Sequence, residues 1–192
     1  VIAAGSIFHY LGESEHKKLD HITGISRIEE DKYVWLDRFT IRNLELISSV
    51  HENAKTLSGI LDETQTAMGS RMLRRWIMLP LKNKKPIEDR LMVVDFFKAN
   101  EKIGFELSQR LKNIGDLERL ISKVAVGRVN PKEVSHLKKT LMEVDPLKAL
   151  LNSNDKPQSL KVLLEKLDPC PKLIELIDVS LTEEPAAQIG KG

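Results

Sequence analysis

The chain has 192 residues, with 30 Lys and Arg against 28 Asp and Glu for a formal net charge of +2, so its overall field selects no polyanionic partner. At 41% hydrophobic and 30% charged it carries enough apolar surface to bury a core, which argues against disorder. No run of about 18 apolar residues exists, the longest candidates being broken by His9, Pro80 or Asp95, and a spanning helix is excluded. The single cysteine, Cys170, excludes an internal disulfide and a thiolate zinc site, and fits a reducing compartment. The apolar opening from Val1 to Leu11 lacks an initiating Met and a basic flank, so it reads as the middle of a helix and not as a signal peptide. Together with the flexible Gly190-Lys191-Gly192 ending, it suggests a segment excised from a longer protein.

Apolar spacing is helical almost throughout, which makes the expected class mainly α. A first helix is expected over 1–15, followed by a polar connector over 17–31 that carries Asp20, Glu29, Glu30 and Asp31. Tyr33, Val34, Trp35 and Leu36 form the one run with strand composition, so at most one short strand is expected near 33–36. Asp37 then caps a helix running through Arg42 toward Leu46. From Thr56 to Leu79 an inward face is expected from Leu57, Ile60, Leu61, Met68, Met72, Leu73, Trp76 and Ile77. Thr64 to Thr66 mark a break and restart in it, and Pro80 ends it.

Pro86 suits the first turn of a helix in which Ile87, Leu91, Val94 and Phe97 make one buried stripe. Asp116 caps the next, whose Leu117, Leu120, Ile121 and Val124 face inward before Gly127 ends it. Asn130, Pro131 and Glu133 are the best helix start in the chain, and Val134, Leu137, Leu141 and Val144 follow until Pro146 kinks or ends the helix. Segments 159–168 and 171–181 form two more helices, divided by Asp168, Pro169, Cys170 and Pro171. No internal repeat or low-complexity tract is present.

Catalytic motifs fail on spacing. A phosphate loop needs a Gly six positions before its Lys and a hydroxyl after it, whereas Lys191 is preceded at that distance by Pro185 and followed by Gly192. No GxGxxG occurs, so no nucleotide cofactor is expected on this chain. Among His9, His16, His21, His51 and His136 no two stand three or four apart, as a helical metal pair requires, and no metal site is expected. His51-Glu52 begins an HExxH pattern, but Lys55 stands where the second ligand belongs. Cys170 lies between prolines with no adjacent base, so no catalytic nucleophile is assigned.

One segment is electropositive. Arg71, Arg74, Arg75, Lys82, Lys84, Lys85 and Arg90 face only Glu88 and Asp89 over 71–90, a local net of +5. Arg71, Arg74, Lys82, Lys84 and Lys85 are therefore candidate contacts to a DNA backbone. The favoured reading is different: the arginines, which share a helix with Met72 and Trp76, pair with carboxylates such as Asp62 or Glu118 and tie helices together. At 5% aromatic residues the chain is poorly supplied for stacking on single strands.

Two stretches carry a family resemblance. Leu36-Asp37, then Thr40-Ile41-Arg42-Asn43-Leu44-Glu45-Leu46, and next Ile60 through Trp76, which reads ILDETQTAMGSRMLRRW, resemble signatures of the MutS DNA mismatch repair family. Pro80-Leu81, Asp116-Leu117-Glu118-Arg119-Leu120, Gly127-Arg128 and Asn130-Pro131 follow in the family's order, so the resemblance spans nearly the whole chain.

The resemblance implies a piece of a multidomain, bacterial and cytoplasmic, nucleoid-associated protein. Residues 1–20 would be the tail of a connector domain, 21–181 a helical core or lever domain, and 182–192 the approach to an inserted clamp. The parent would be a homodimeric, DNA-dependent ATPase that binds mismatched duplex DNA, uses ATP and Mg, and meets a MutL-type partner, with no membrane association. The mismatch-probing Phe and Glu and the ATPase phosphate loop belong to other domains, so this chain is expected to be inactive alone, with no cofactor. It would couple the ATPase to the connector and clamp. The alternatives are a weak, sequence-independent duplex-binding module built on 71–90, or a relative acting in recombination. The expected joints are Asp37, Arg42, Asn43, Asp62, Thr64, Thr66, Gly69, Arg71, Arg75, Trp76, Asp116, Arg119, Gly127 and Arg128. In that set Asp62, Thr64 and Thr66 satisfy amides at a helix restart, Gly69 permits close helix approach, and Arg71, Arg75, Arg119 and Arg128 lock neighbouring helices. Trp76 and Leu73 are expected in the core.

Overall fold

Side-chain oxygens start five of the helices among the described residues, and these caps set where the chain turns. The computed structural model describes residues 2–13, 24, 30–51, 54–152 and 155–186. Most of the 17–31 connector, including Asp20 and Glu29, lies outside them, as do His16, His21, Glu52, Gly190, Lys191 and Gly192.

Eleven α-helices are present among the described residues: α1 Ile2–Glu13, α2 Arg38–Asn43, α3 Leu57–Leu61, α4 Ala67–Met78, α5 Lys84–Ala99, α6 Glu101–Leu111, α7 Leu117–Ala125, α8 Pro131–Met142, α9 Val144–Leu150, α10 Gln158–Glu165 and α11 Pro171–Ser180. The fold is mainly α. Tyr33–Leu36 forms no strand, only an antiparallel bridge from Tyr33 to Leu81. There Val34 N–H donates to the Pro80 carbonyl at 2.7 Å and Lys82 N–H to the Lys32 carbonyl at 3.0 Å.

Asp37, Thr56, Thr66, Asp116 and Asn130 each accept a backbone N–H from three residues ahead, the N-cap geometry that satisfies one orphan amide per helix. Asn130 and Glu133 complete a reciprocal capping box ahead of Pro131. At the other end of α7, Gly127 adopts φ +68, so that Gly127 N–H reaches the Val124 carbonyl and Arg128 N–H reaches the Lys123 carbonyl. This paired closure requires the left-handed region that glycine enters without penalty. Gly127→Ala is expected to lower stability by about 1 kcal/mol, which a urea titration would read.

Pro146 acts four residues upstream of itself. It lacks the N–H that would reach the Met142 carbonyl and its ring crowds that group, so α8 stops at Met142 and α9 begins at Val144. The sequence reading passed over α6, which follows α5 after the single residue Asn100. Asn100 turns the chain without a Gly or Pro, its side-chain amide donating to the Phe96 carbonyl at 2.9 Å.

Phe96, Leu151, Leu160 and Leu164 form the buried cluster, flanked by Val93, Phe97, Ile103 and Leu107. Here α5 meets α6 and α10, and Phe96 and Phe97 stack edge to face at 5.3 Å. The expected α5 stripe is thereby corrected: Ile87, Leu91 and Val94 are exposed, and the buried face is rotated to Val93 and Phe96. The helix is apolar on two sides, so periodicity alone does not select the packed one. Trp76 is likewise exposed, and so are Leu57, Ile60, Leu61, Met72, Ile121 and Val124, whereas Leu73 is half-buried. Around α8, Leu141 is buried and Val134 and Leu137 are half-buried, with α7, α9 and α11 packed on this helix.

Thr140, 2% exposed, accepts the Gly115 N–H at 3.0 Å. Thr140→Val keeps the shape and removes the acceptor, so it should cost about 1–3 kcal/mol, measurable by urea denaturation.

Candidate functional site

Where α3 ends and α4 begins, one carboxylate organises the turn. Asp62 accepts from Thr64 Oγ1 at 2.6 Å and Thr64 N–H at 3.3 Å through one oxygen, and from Ser70 Oγ at 2.5 Å through the other. Hydrogen bonds from Ser70 and then Thr64, with the nearby charge of Arg74 a smaller cause, hold its carboxyl below the usual range. Thr66 accepts Gly69 N–H at 2.9 Å. A Cβ at Gly69 would lie 3.0 Å from Thr66 Oγ1 and 3.3 Å from Thr64 Cβ, so the close approach this glycine permits is to its own joint and not to a neighbouring helix. Gly69→Ala is therefore expected to forfeit the roughly 1 kcal/mol that Ala gains over Gly in open helix positions, as a thermal melt would show.

One turn of α4 further on, Arg71 reaches α7. Its two terminal nitrogens grip Asp116 at 2.6 and 2.9 Å, and Nε donates to Glu118 at 2.7 Å, so one planar fork holds two carboxylates across 45 to 47 residues of sequence. Asp116 also caps α7 through Arg119 N–H at 3.2 Å. Hydrogen bonds from Arg71 and then Arg119 N–H depress its carboxyl to about 2, and Asp116 and Glu118 raise the guanidinium of Arg71. The Arg71 side chain is 47% exposed, so solvent screens the clasp. It fixes where α7 sits more than it stabilises the chain.

Asp116 gives a pH test. Its folded-state carboxyl titrates below the ordinary 3.8, so its contribution is present above about pH 4 and is lost as the pH falls toward 2. Asp116→Asn preserves a cap and deletes the charge. The urea midpoint of that variant should change less between about pH 5 and pH 2.5 than that of the unmodified chain.

Other joints were not legible beforehand. Lys123 pairs with Glu133 between α7 and α8, and Lys138 pairs with Asp178 at 2.5 Å between α8 and α11. Glu143 accepts from Asn113 Nδ2 at 3.0 Å through one oxygen, and its other oxygen lies 3.6 Å from Arg110. Glu133 was visible only as a capping residue, a role it performs by accepting Asn130 N–H at 3.1 Å while also holding Lys123.

The remaining expected residues separate into caps and open side chains. Asp37 accepts Thr40 N–H at 2.7 Å, while Arg42 and Asn43 are exposed in the last turn of α2. Arg75, Arg119 and Arg128 are exposed and have no carboxylate partner among the described residues, so of the four arginines expected as locks only Arg71 closes on carboxylates. Arg75 stands a turn beyond the carboxylates that Arg71 fills, and Arg128 serves the end of α7 through its backbone. Trp76 is no core residue; Arg90 lies 3.7 Å above its ring, and burial holds that guanidinium below its ordinary value.

Much of the positive charge over 71–90 is answered locally. Arg71 is clasped, Arg90 lies on Trp76, and Lys84 and Lys85 each stand 3.4 Å from Glu88 and Asp89. Arg74 is exposed beside Asp62, and Lys82 is exposed at the α4–α5 link. Among the described residues no group of three or more His, Cys, Asp or Glu is placed to hold a metal, and no helix is long and apolar enough to cross a membrane.

An all-helical scaffold whose helices are tied by side-chain clasps is the class this geometry defines. Residues 39–192 match the MutS domain III family, and the chain belongs to the MutS family. It is 47% identical over 192 residues to the DNA mismatch repair protein MutS of Flavobacterium psychrophilum, covering 100% of this chain and 22% of that protein. With the protein of the same name from Cytophaga hutchinsonii it shares 48% over 184 residues, 96% of this chain and 21% of the relative. For that of Parabacteroides distasonis the figures are 44% over 192 residues, 100% and 22%. The chain thus spans about a fifth of the length of these relatives.

Proposed function

We propose that this chain is the core, or lever, segment of a mismatch-recognition protein and acts as a relay, coupling an ATPase to a connector and a DNA clamp carried elsewhere in the full-length protein. The observation that carries the reading is the Arg71 clasp, which joins α4 to α7 by side chains drawn from two of the stretches that resemble the family. Internally hydrogen-bonded helices fixed by such joints transmit displacement when the joint has two arrangements. In this reading 1–20 is the end of a connector, 21–181 the lever and 182–192 the approach to the clamp. ATP and Mg are held outside this chain, since it has no phosphate loop of its own and no catalytic residue is assigned to it. Mismatched duplex, a second copy and a MutL-type partner are met by the whole bacterial protein.

Fluorescence anisotropy with matched and G·T mismatched duplexes, at about 50 and 200 mM salt, tests this. The relay reading expects no binding by the chain up to high micromolar concentration. Salt-sensitive binding equal for both duplexes would instead favour a backbone contact through 71–90, and a preference for the mismatch would overturn the domain assignment.

A further inference from the structure

Arg110, in the last turn of α6, stands between two carboxylates and closes on neither. Its Nη2 and Nε lie 3.3 and 3.4 Å from the exposed Glu106 one turn back, and its Nη1 lies 3.6 Å from Glu143 Oε2. A closed Arg–carboxylate hydrogen bond measures about 2.7–2.9 Å, as those of Arg71 to Glu118 and Asp116 do. Glu106 faces the Nε–Nη2 edge of the guanidinium and Glu143 its Nη1 side, so a shift that closes one contact lengthens the other.

The stretched arrangement carries a cost at Glu143. Its Oε2 is sealed from solvent and accepts no hydrogen bond among the described residues, whereas Oε1 accepts from Asn113 Nδ2 at 3.0 Å. A buried carboxylate oxygen left unbonded is expensive, and a movement of Arg110 by under about 1 Å would relieve it. Glu143 is also the single residue between α8 and α9, so it rides on the break that Pro146 imposes. Through Asn113 it holds the loop between α6 and α7, which Thr140 holds as well, at Gly115 N–H. The next residue is Asp116, gripped by Arg71.

We propose that Arg110 and Glu143 form a second joint with two positions, open with Arg110 drawn to Glu106 and closed with it on Glu143, and that its state sets the loop carrying Asp116. Its role rests on the relay reading, to which it adds the bistable element that a relay requires. Helix α6 packs on both α5 and α9, so closure ties the buried cluster to the α8–α9 break.

NMR of the arginine side chains tests the joint, comparing the unmodified chain with Glu106→Gln, Glu143→Gln and the double variant, each with an unchanged far-ultraviolet spectrum as the sign of an intact fold. Glu106→Gln removes the charge that holds the open position. Exchange of the Arg110 side-chain N–H groups should then slow at least fivefold, and the Asn113 side-chain amide and the Asp116 N–H should shift. Glu143→Gln keeps an acceptor for Asn113 and deletes the charge, so the double variant should show neither change. Arg110 exchange unaffected by Glu106→Gln, or slowing that persists in the double variant, would overturn the proposal. The relay reading is tested separately, by the effect of DNA on nucleotide affinity in the full-length Glu106→Gln protein. Shifts at Asp116 with that coupling unchanged would support the joint and count against the relay.

Discussion

Phe96→Ala is expected to cost the chain about 3–5 kcal/mol of folding stability, the largest effect of any single substitution considered. Phe96 is 7% exposed and stands among Leu151, Leu160 and Leu164, so truncation opens a cavity where α5, α6 and α10 meet. Domains of this size are stable by only about 5–15 kcal/mol, so the variant should lose between a fifth and all of its stability and unfold at a markedly lower urea concentration. Val94→Ala, two positions away on the exposed side of the same helix, should change stability by under about 0.5 kcal/mol. The two urea midpoints therefore identify the packed side of α5. If Val94 proved the costlier site, the buried stripe would be the one read from periodicity.

The second large effect concerns coupling. Arg71→Gln removes the charge that holds Asp116 and Glu118 while retaining side-chain length and polarity. Because the pair is half exposed and screened, the chain should remain folded, with an unchanged far-ultraviolet spectrum. In the full-length protein the α4–α7 link would be loosened, and the factor by which DNA alters nucleotide affinity should fall about fivefold or more, the lower end of typical allosteric coupling. Lys98→Gln, exposed near the end of α5 and outside the 71–90 basic segment, should leave that factor unchanged and serves as the control.

Helix starts were the most legible part of the fold because a cap is a local contract: Asp37, Thr66, Asp116 and Asn130 each need only a backbone amide three residues ahead. Helix ends written in glycine or proline were equally readable, at Gly127 and upstream of Pro146. The break at Asn100 was not, since an asparagine that bonds back to Phe96 leaves no mark in the pattern of apolar residues. Nor was the packed side of α5, a helix apolar on two faces. Glu118 was anticipated as an arginine partner, but which arginine it takes depends on how α4 and α7 are set against each other, a tertiary fact. The pairs Lys123–Glu133 and Lys138–Asp178 are of the same kind, each closed only when two helices dock.

The claim at the centre of this account is that the Arg71 clasp transmits, and a charge reversal set against a conservative change tests it most directly. In the full-length protein, the dependence of nucleotide affinity on bound mismatched duplex would be measured for Arg71→Glu and for Arg71→Lys, both of which leave Asp116 in place as the cap of α7. The account predicts that coupling is lost with Glu, which repels Asp116 and Glu118, and largely kept with Lys, which retains the cation between them. Coupling that survives Arg71→Glu unchanged would show that the joint between α4 and α7 is packing alone.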